Sequence, residues 1–163
     1  MTENDATDAP ADAPAPATPA APIRPQALVG RRLLALLYDV FPMLGVWFLI
    51  GVIALIAHRG EAIHADTLAG WLELIALWAV TGLYATVSWR RGGQTLGMRP
   101  WRLRVTDRDG KTASLRALWL RYAVGAASLL FAGLGFWWAW IDRDRLTWHD
   151  RASGTRMVRV PKG

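Results

Sequence analysis

Three long apolar blocks organise the chain. The first runs from Leu33 to Ala57 and holds one ionisable residue, Asp39, and one proline, Pro42. At about 1.5 Å per residue it exceeds the roughly 30 Å hydrocarbon core of a bilayer, which predicts a spanning helix. Pro42 is expected to kink it one turn beyond Asp39. The polar stretch His58 to Thr67 is short, and the second block, Leu68 to Trp89, again contains one ionisable residue, Glu73. Two antiparallel spanning helices are expected. The third block, Ala117 to Ile141, contains Arg121 and a Gly133-Leu134-Gly135 break. It reads either as a single span or as a broken helix that folds back. Its small residues, Gly125 to Ser128, offer a seam for helix association.

Between the second and third blocks the periodicity changes. Leu103 and Val105 alternate with Arg102 and Arg104, and Asp109-Gly110 is a turn signal. Trp101 to Val105 therefore reads as a short strand entering a hairpin-like turn. Met157 to Val160 has weaker strand character, and the 101–105 strand and the 155–160 tail are expected to pack together beneath the membrane. Residues 1–25, rich in Ala, Pro, Asp and Thr, lack the features of a secretory signal and read as a disordered cytoplasmic tail. The expected fold is an all-α integral membrane protein. It has two spanning helices (33–57 and 68–89), a third apolar segment (117–141) and a small cytoplasmic β-hairpin-like element, in one domain over 26–160.

Charge sets the expected topology. The formal net charge is +6, and seventeen of the nineteen basic residues are arginine. Arg24, Arg31 and Arg32 precede the first block, only Arg59 follows it, eight cations lie in 90–116, and six follow Ile141. Cytoplasmic loops collect Lys and Arg, which puts the N-terminus and the 90–116 loop inside a bacterial inner membrane. A folded-back third block would put the last six cations inside as well. Most of the ten tryptophans fall at block edges, as in an aromatic belt. Without cysteine, disulfides and thiolate chemistry are excluded.

Several ionisable residues invite a functional reading. Arg32 and Asp39 are two helical turns apart, on one face and about 10 Å apart along the axis. A carboxylate inside a membrane costs on the order of 2.5–3.5 kcal/mol unless it is partnered, so Asp39 marks either a ligand path or a packing contact. Arg121 pairs with Asp39 or with lipid phosphate in the same reading, and Glu73 sits near the outer interface. His149-Asp150 either handles a proton or forms a cap that pins the tail. His58, Glu61 and His64 read as a solvated loop rather than a metal site. GGQTLG lacks the Lys and Ser/Thr of a phosphate loop, no nucleophile elbow is present, and no nucleic-acid reading motif accompanies the cations. No enzyme activity, cofactor or metal is expected.

RRLLALLYD at 31–39, GGQTLGMRPWRLRVTDRDG at 92–110 and LTWHDRASGT at 146–155 together resemble the RDD family, named for an arginine and two aspartates. The resemblance covers residues 26–160 and assigns the arginine to Arg32 and the aspartates to Asp39 and Asp150. The family usually carries a lysine after GQTLG, where this chain has Met98 followed by Arg99. The resemblance implies a membrane module for which transport of an unidentified ligand has been suggested. The first expectation is thus a small transporter subunit for a cation or proton, built on Arg32, Asp39, Asp150, His149, Arg121 and Glu73. Two carboxylates are expected around the Arg32 guanidinium, balanced by Arg121 or a bound cation. The alternative is a lipid- or partner-binding adaptor or assembly module. Expected partners are the phospholipid bilayer and either a second copy or another membrane protein.

Overall fold

The structure, a computed structural model, describes residues 27–61 and 63–161, so the expected N-terminal tail lies outside the described residues. Its elements are α1 (Val29–Ala57), α2 (Leu68–Gly92), β1 (Leu103–Asp107), α3 (Leu115–Leu130), α4 (Leu134–Ile141), α5 (Trp148–Ser153) and β2 (Thr155–Arg159).

Helices α1 and α2 have 29 and 25 residues, or about 43 and 37 Å, and both are long and apolar enough to cross a membrane. Pro42 lies inside α1, which continues through it. Thr67 caps α2, its hydroxyl accepting from the Gly70 amide at 3.2 Å, and Gly93 ends it at φ 72°. The buried residues of α1 are Val29, Arg32, Ala35 and Met43, all in its first half. On other faces of the helix Phe41, Phe48 and Ile56 are 70–75% exposed to their surroundings. An apolar surface of this extent fits lipid or another membrane helix, since water would oppose it.

The third apolar block is broken. Helices α3 and α4 meet at 99°. Ala132 and Gly133 both adopt left-handed φ, 52° and 73°, which reverses the helical path. Ser128 holds the bend: its backbone oxygen accepts from Gly133 N and its hydroxyl from Gly135 N, each at 2.8 Å. A Cβ at Gly135 would meet Ser128 Oγ at 2.5 Å, so the glycine permits the approach. A Cβ at Gly125 would lie 3.9 Å from the His149 ring. Of the small residues expected to form an intermolecular seam, Ser128 is thus buried by the chain itself and Gly125 is half-buried against His149.

After the bend the chain returns to the end from which it left α2. Strand β2 pairs antiparallel with β1 in the register Leu103↔Arg159, Val105↔Met157, Asp107↔Thr155. The two segments pair as expected, and the pairing refines the hairpin-like expectation. The turn after β1 does form, with Asp107 accepting from the amides of Asp109 (3.0 Å) and Lys111 (2.7 Å), but the partner strand comes from far down the chain. The strand also begins two residues later than expected, because Arg102 takes a left-handed φ of 53° that interrupts the extended path.

Beneath this sheet sits the main apolar core, in which Ala35, Met98, Leu103, Val105, Ala113 and Leu118 are buried, with Trp89, Trp101 and Met157 against them. Burying a side chain such as Leu103 or Leu118 contributes about 1.5–3 kcal/mol. A smaller cluster of Val29, Phe136 and Ala139 ties the start of α1 to α4. The protein's own core therefore gathers at the sheet end of the helices.

Candidate functional site: Asp150 between two buried arginines

Asp150 is positioned by local sequence. Thr147 and Asp150 form a capping box in which the Asp150 amide donates to Thr147 Oγ1 at 3.3 Å and the Thr147 amide donates to Asp150 Oδ2 at 3.2 Å. The short α5 then ends at Gly154, φ 65°, and the chain passes directly into β2. The carboxylate is completely buried. Arg32, from the first turn of α1, donates to Oδ2 at 2.6 Å, and Arg121, from the second turn of α3, donates to Oδ1 at 2.5 Å. Each guanidinium also holds a threonine: Arg32 donates to Thr147 at 3.1 Å and Arg121 to Thr155 at 2.7 Å. The Arg121 guanidinium lies 5.5 Å from the centre of the Trp89 ring, a cation–π contact.

Two guanidinium charges around one carboxylate leave a positive charge uncompensated. This inverts the expected arrangement of two carboxylates around one guanidinium. Burial by itself would raise the Asp150 carboxyl, but the flanking Arg121 and Arg32 outweigh it and hold the group well below the usual carboxylate range. Asp150 is thus an ionised structural anion. His149 beside it is buried against Phe136, ring centres 4.7 Å apart, and its Nδ1 has no partner among the described residues. Burial, reinforced by the positive Arg121 and Arg32, lowers this imidazole far below its ordinary value and keeps it neutral.

Asp39 does not join the cluster. Its Oδ1 accepts from Tyr84 Oη at 2.9 Å and from the Gly97 amide at 2.8 Å, and its Oδ2 accepts from Thr95 Oγ1 at 2.5 Å. The two-turn spacing does align Arg32 and Asp39 on α1. However, the donors level with Asp39 come from α2 and the GQTLG segment, whereas Arg32, at the helix start, reaches α5. Gly97 packs so tightly here that a Cβ would come within 2.7 Å of the Asp39 carboxyl carbon. Asp39 therefore pins the GQTLG segment to α1. Met98, at the position where the family usually has lysine, is buried, and Trp89 Nε1 donates to its sulfur at 3.3 Å. Arg99 is exposed. Apolar packing occupies the position expected to carry a cation.

Glu73 stands apart, roughly 28 Å along α2 from Gly92 at the end away from the sheet. Sequence reasoning missed Tyr84, Thr95 and Thr155, for which no spacing rule gives a signal, since each acts across elements. It also missed Asp142, which accepts from Arg151 at 2.6 Å and from the Leu146 amide at 2.9 Å. Among the described residues no group of three or more His, Asp or Glu is placed to hold a metal ion.

A sequence model of the RDD family matches residues 26–154. No curated protein and no solved structure matches the chain.

Proposed function

The chain belongs to the RDD family, and on that premise we propose that it is a multi-pass protein of the bacterial cytoplasmic membrane serving as a lipid- or partner-binding adaptor. The sheet-bearing end faces the cytoplasm. One observation carries this reading: both carboxylates that a cation path would use are engaged on each oxygen by the protein's own donors, Asp150 by two arginines and a backbone amide, Asp39 by two hydroxyls and an amide. Three donors occupy each carboxylate, which leaves little acceptor capacity for a travelling cation, and the uncompensated positive charge at Asp150 repels one. The return of β2 to β1 supports the topology, because it gathers the cations of the 90–116 loop and of the C-terminal region on one side. The exposed apolar flank of α1 supplies the surface for lipid, a second copy or a membrane partner.

A transport reading keeps one supporting observation: Asp39 lies within a candidate span, only partly buried, and shares its carboxylate with Tyr84 and Thr95. Liposomes holding the purified protein alone separate the two. The adaptor reading expects cation and proton flux no greater than in empty liposomes. Flux above that level, abolished by Asp39→Asn with insertion intact, would establish transport and remove the adaptor reading.

A further inference from the structure

Beside the Asp150 cluster, at the sheet end, lies a cavity of about 700 Å³ between the start of α1, the strands and the segment before α5. Its wall carries Arg32, Arg102, Arg108, Arg145, Arg156 and Arg159. Two carboxylates share the wall, and both are engaged. Asp107 accepts from the amides of Asp109 and Lys111, and Asp144 lies 3.5 Å from Arg151. The arginines therefore create a strongly positive concavity. A second, independent observation points to a ligand. Arg32 is 2% exposed and lines this cavity, yet its Nε is a buried donor with no partner among the described residues. Buried donors in folded proteins are almost always satisfied, so Arg32, which Asp150 and Thr147 hold through Nη1 alone, keeps unused hydrogen-bonding capacity in the cavity wall.

We infer that this cavity is a binding site for the phosphate group of an organic phosphoester, with Arg32 at its base and Arg108 and Arg156 at its rim. Guanidinium forks match phosphate oxygens in geometry and charge, and they stay ionised at every physiological pH. The volume lies in the range of organic-ligand pockets and exceeds what inorganic phosphate alone would fill. Apolar wall residues, among them Leu28, Leu146 and Val158, suit the organic portion of the ester. This inference deepens the adaptor reading and rests on it, since it names the chemistry that the basic face would recognise. A lipid headgroup and a soluble phosphoester share that chemistry.

The test uses the full chain in phosphatidylcholine nanodiscs, titrated separately with inorganic phosphate, a soluble short-chain phosphatidate and glycerol 3-phosphate, with chloride at matched ionic strength as the control. Binding of a phosphoester in preference to chloride is expected. The double variant Arg108→Gln/Arg156→Gln, altered only at exposed side chains, is expected to weaken that binding at least fivefold with its circular dichroism unchanged. Tighter binding of phosphatidate than of glycerol 3-phosphate assigns the site to a lipid headgroup; equal or weaker binding assigns it to a soluble ester. Absence of binding by any of the three phosphates, or wild-type affinity in the folded double variant, overturns the site. Flux measured on the same preparation reports on the adaptor reading separately. Cation flux alongside specific phosphoester binding would leave the site standing and remove the adaptor role.

Discussion

Arg32 Nη1 and Asp150 Oδ2 lie 2.6 Å apart although 118 positions separate the two residues in sequence. The contact joins the first turn of α1 to α5, and through Arg121 the same carboxylate reaches α3. Both side chains are almost fully buried, so their attraction is little screened by water or salt. Asp150→Asn would leave two buried guanidinia facing a neutral amide. The expected cost is about 3–5 kcal/mol, the usual penalty for breaking a buried ion pair. Thermal unfolding of the detergent-solubilised variant checks this, and a midpoint equal to wild type would show that Asp150 does not hold the elements together.

Acid is expected to destabilise the fold in two stages. Below about pH 6.5 the unfolded chain protonates His149 while the folded chain keeps it neutral, so the unfolded state binds more protons and stability falls with pH. Below about pH 4 the unfolded carboxyl of Asp150 takes up a proton that the folded one refuses, and the loss steepens. Both contributions are complete above the first threshold. His149→Leu should flatten the upper stage and spare the lower, as read from unfolding midpoints across the pH range. A wild-type profile level through the His149 range would contradict the buried neutral imidazole.

Asp39→Asn is expected to loosen the GQTLG segment. The amide retains a single acceptor oxygen and turns its NH2 donors toward either Thr95 or the Tyr84 and Gly97 pair, at a cost of about 1–3 kcal/mol. Hydrogen exchange should rise at residues 93–98 and stay unchanged around Asp150. Faster exchange at both places would mean that Asp39 and Asp150 do act as one unit.

The sheet register gives a sharper test. Cysteines replacing Arg104 and Val158, which face each other across the strands, should crosslink on mild oxidation in a chain with no native cysteine. The offset pair at Leu103 and Val158 should react more slowly. Equal yields would mean that the strands slip or pair differently.

Much of this arrangement could be read in the sequence, and the failures have physical causes. The two spans follow from length and apolarity alone, and the break in the third block was visible at Gly133. Its partner, Ala132, carries no sign of a left-handed conformation, so the sharpness of the bend was hidden. Arg32 and Arg121 were identifiable as candidates, because a charged residue beside or within an apolar block must find a partner, and the family resemblance supplied Asp150. Which partner each finds is a long-range property. Helical spacing aligned Asp39 with Arg32, but it says nothing of the Tyr84 hydroxyl or the Gly97 amide, which reach Asp39 only after α2 and the following segment have packed. The same gap reversed the expected charge of the cluster.

The position of Asp150 in the chain imposes an order on assembly. A ribosome releases Arg32 first, then Arg121, and the acid that both require comes last of the three. Until α5 emerges, each guanidinium must rely on water or lipid phosphate for its counter-charge. The newborn protein therefore passes through a stage in which these two arginines lack the carboxylate that later joins them. Closure of the Asp150 contact marks the moment at which the nascent protein stops borrowing anions from its surroundings for these two arginines and supplies one of its own.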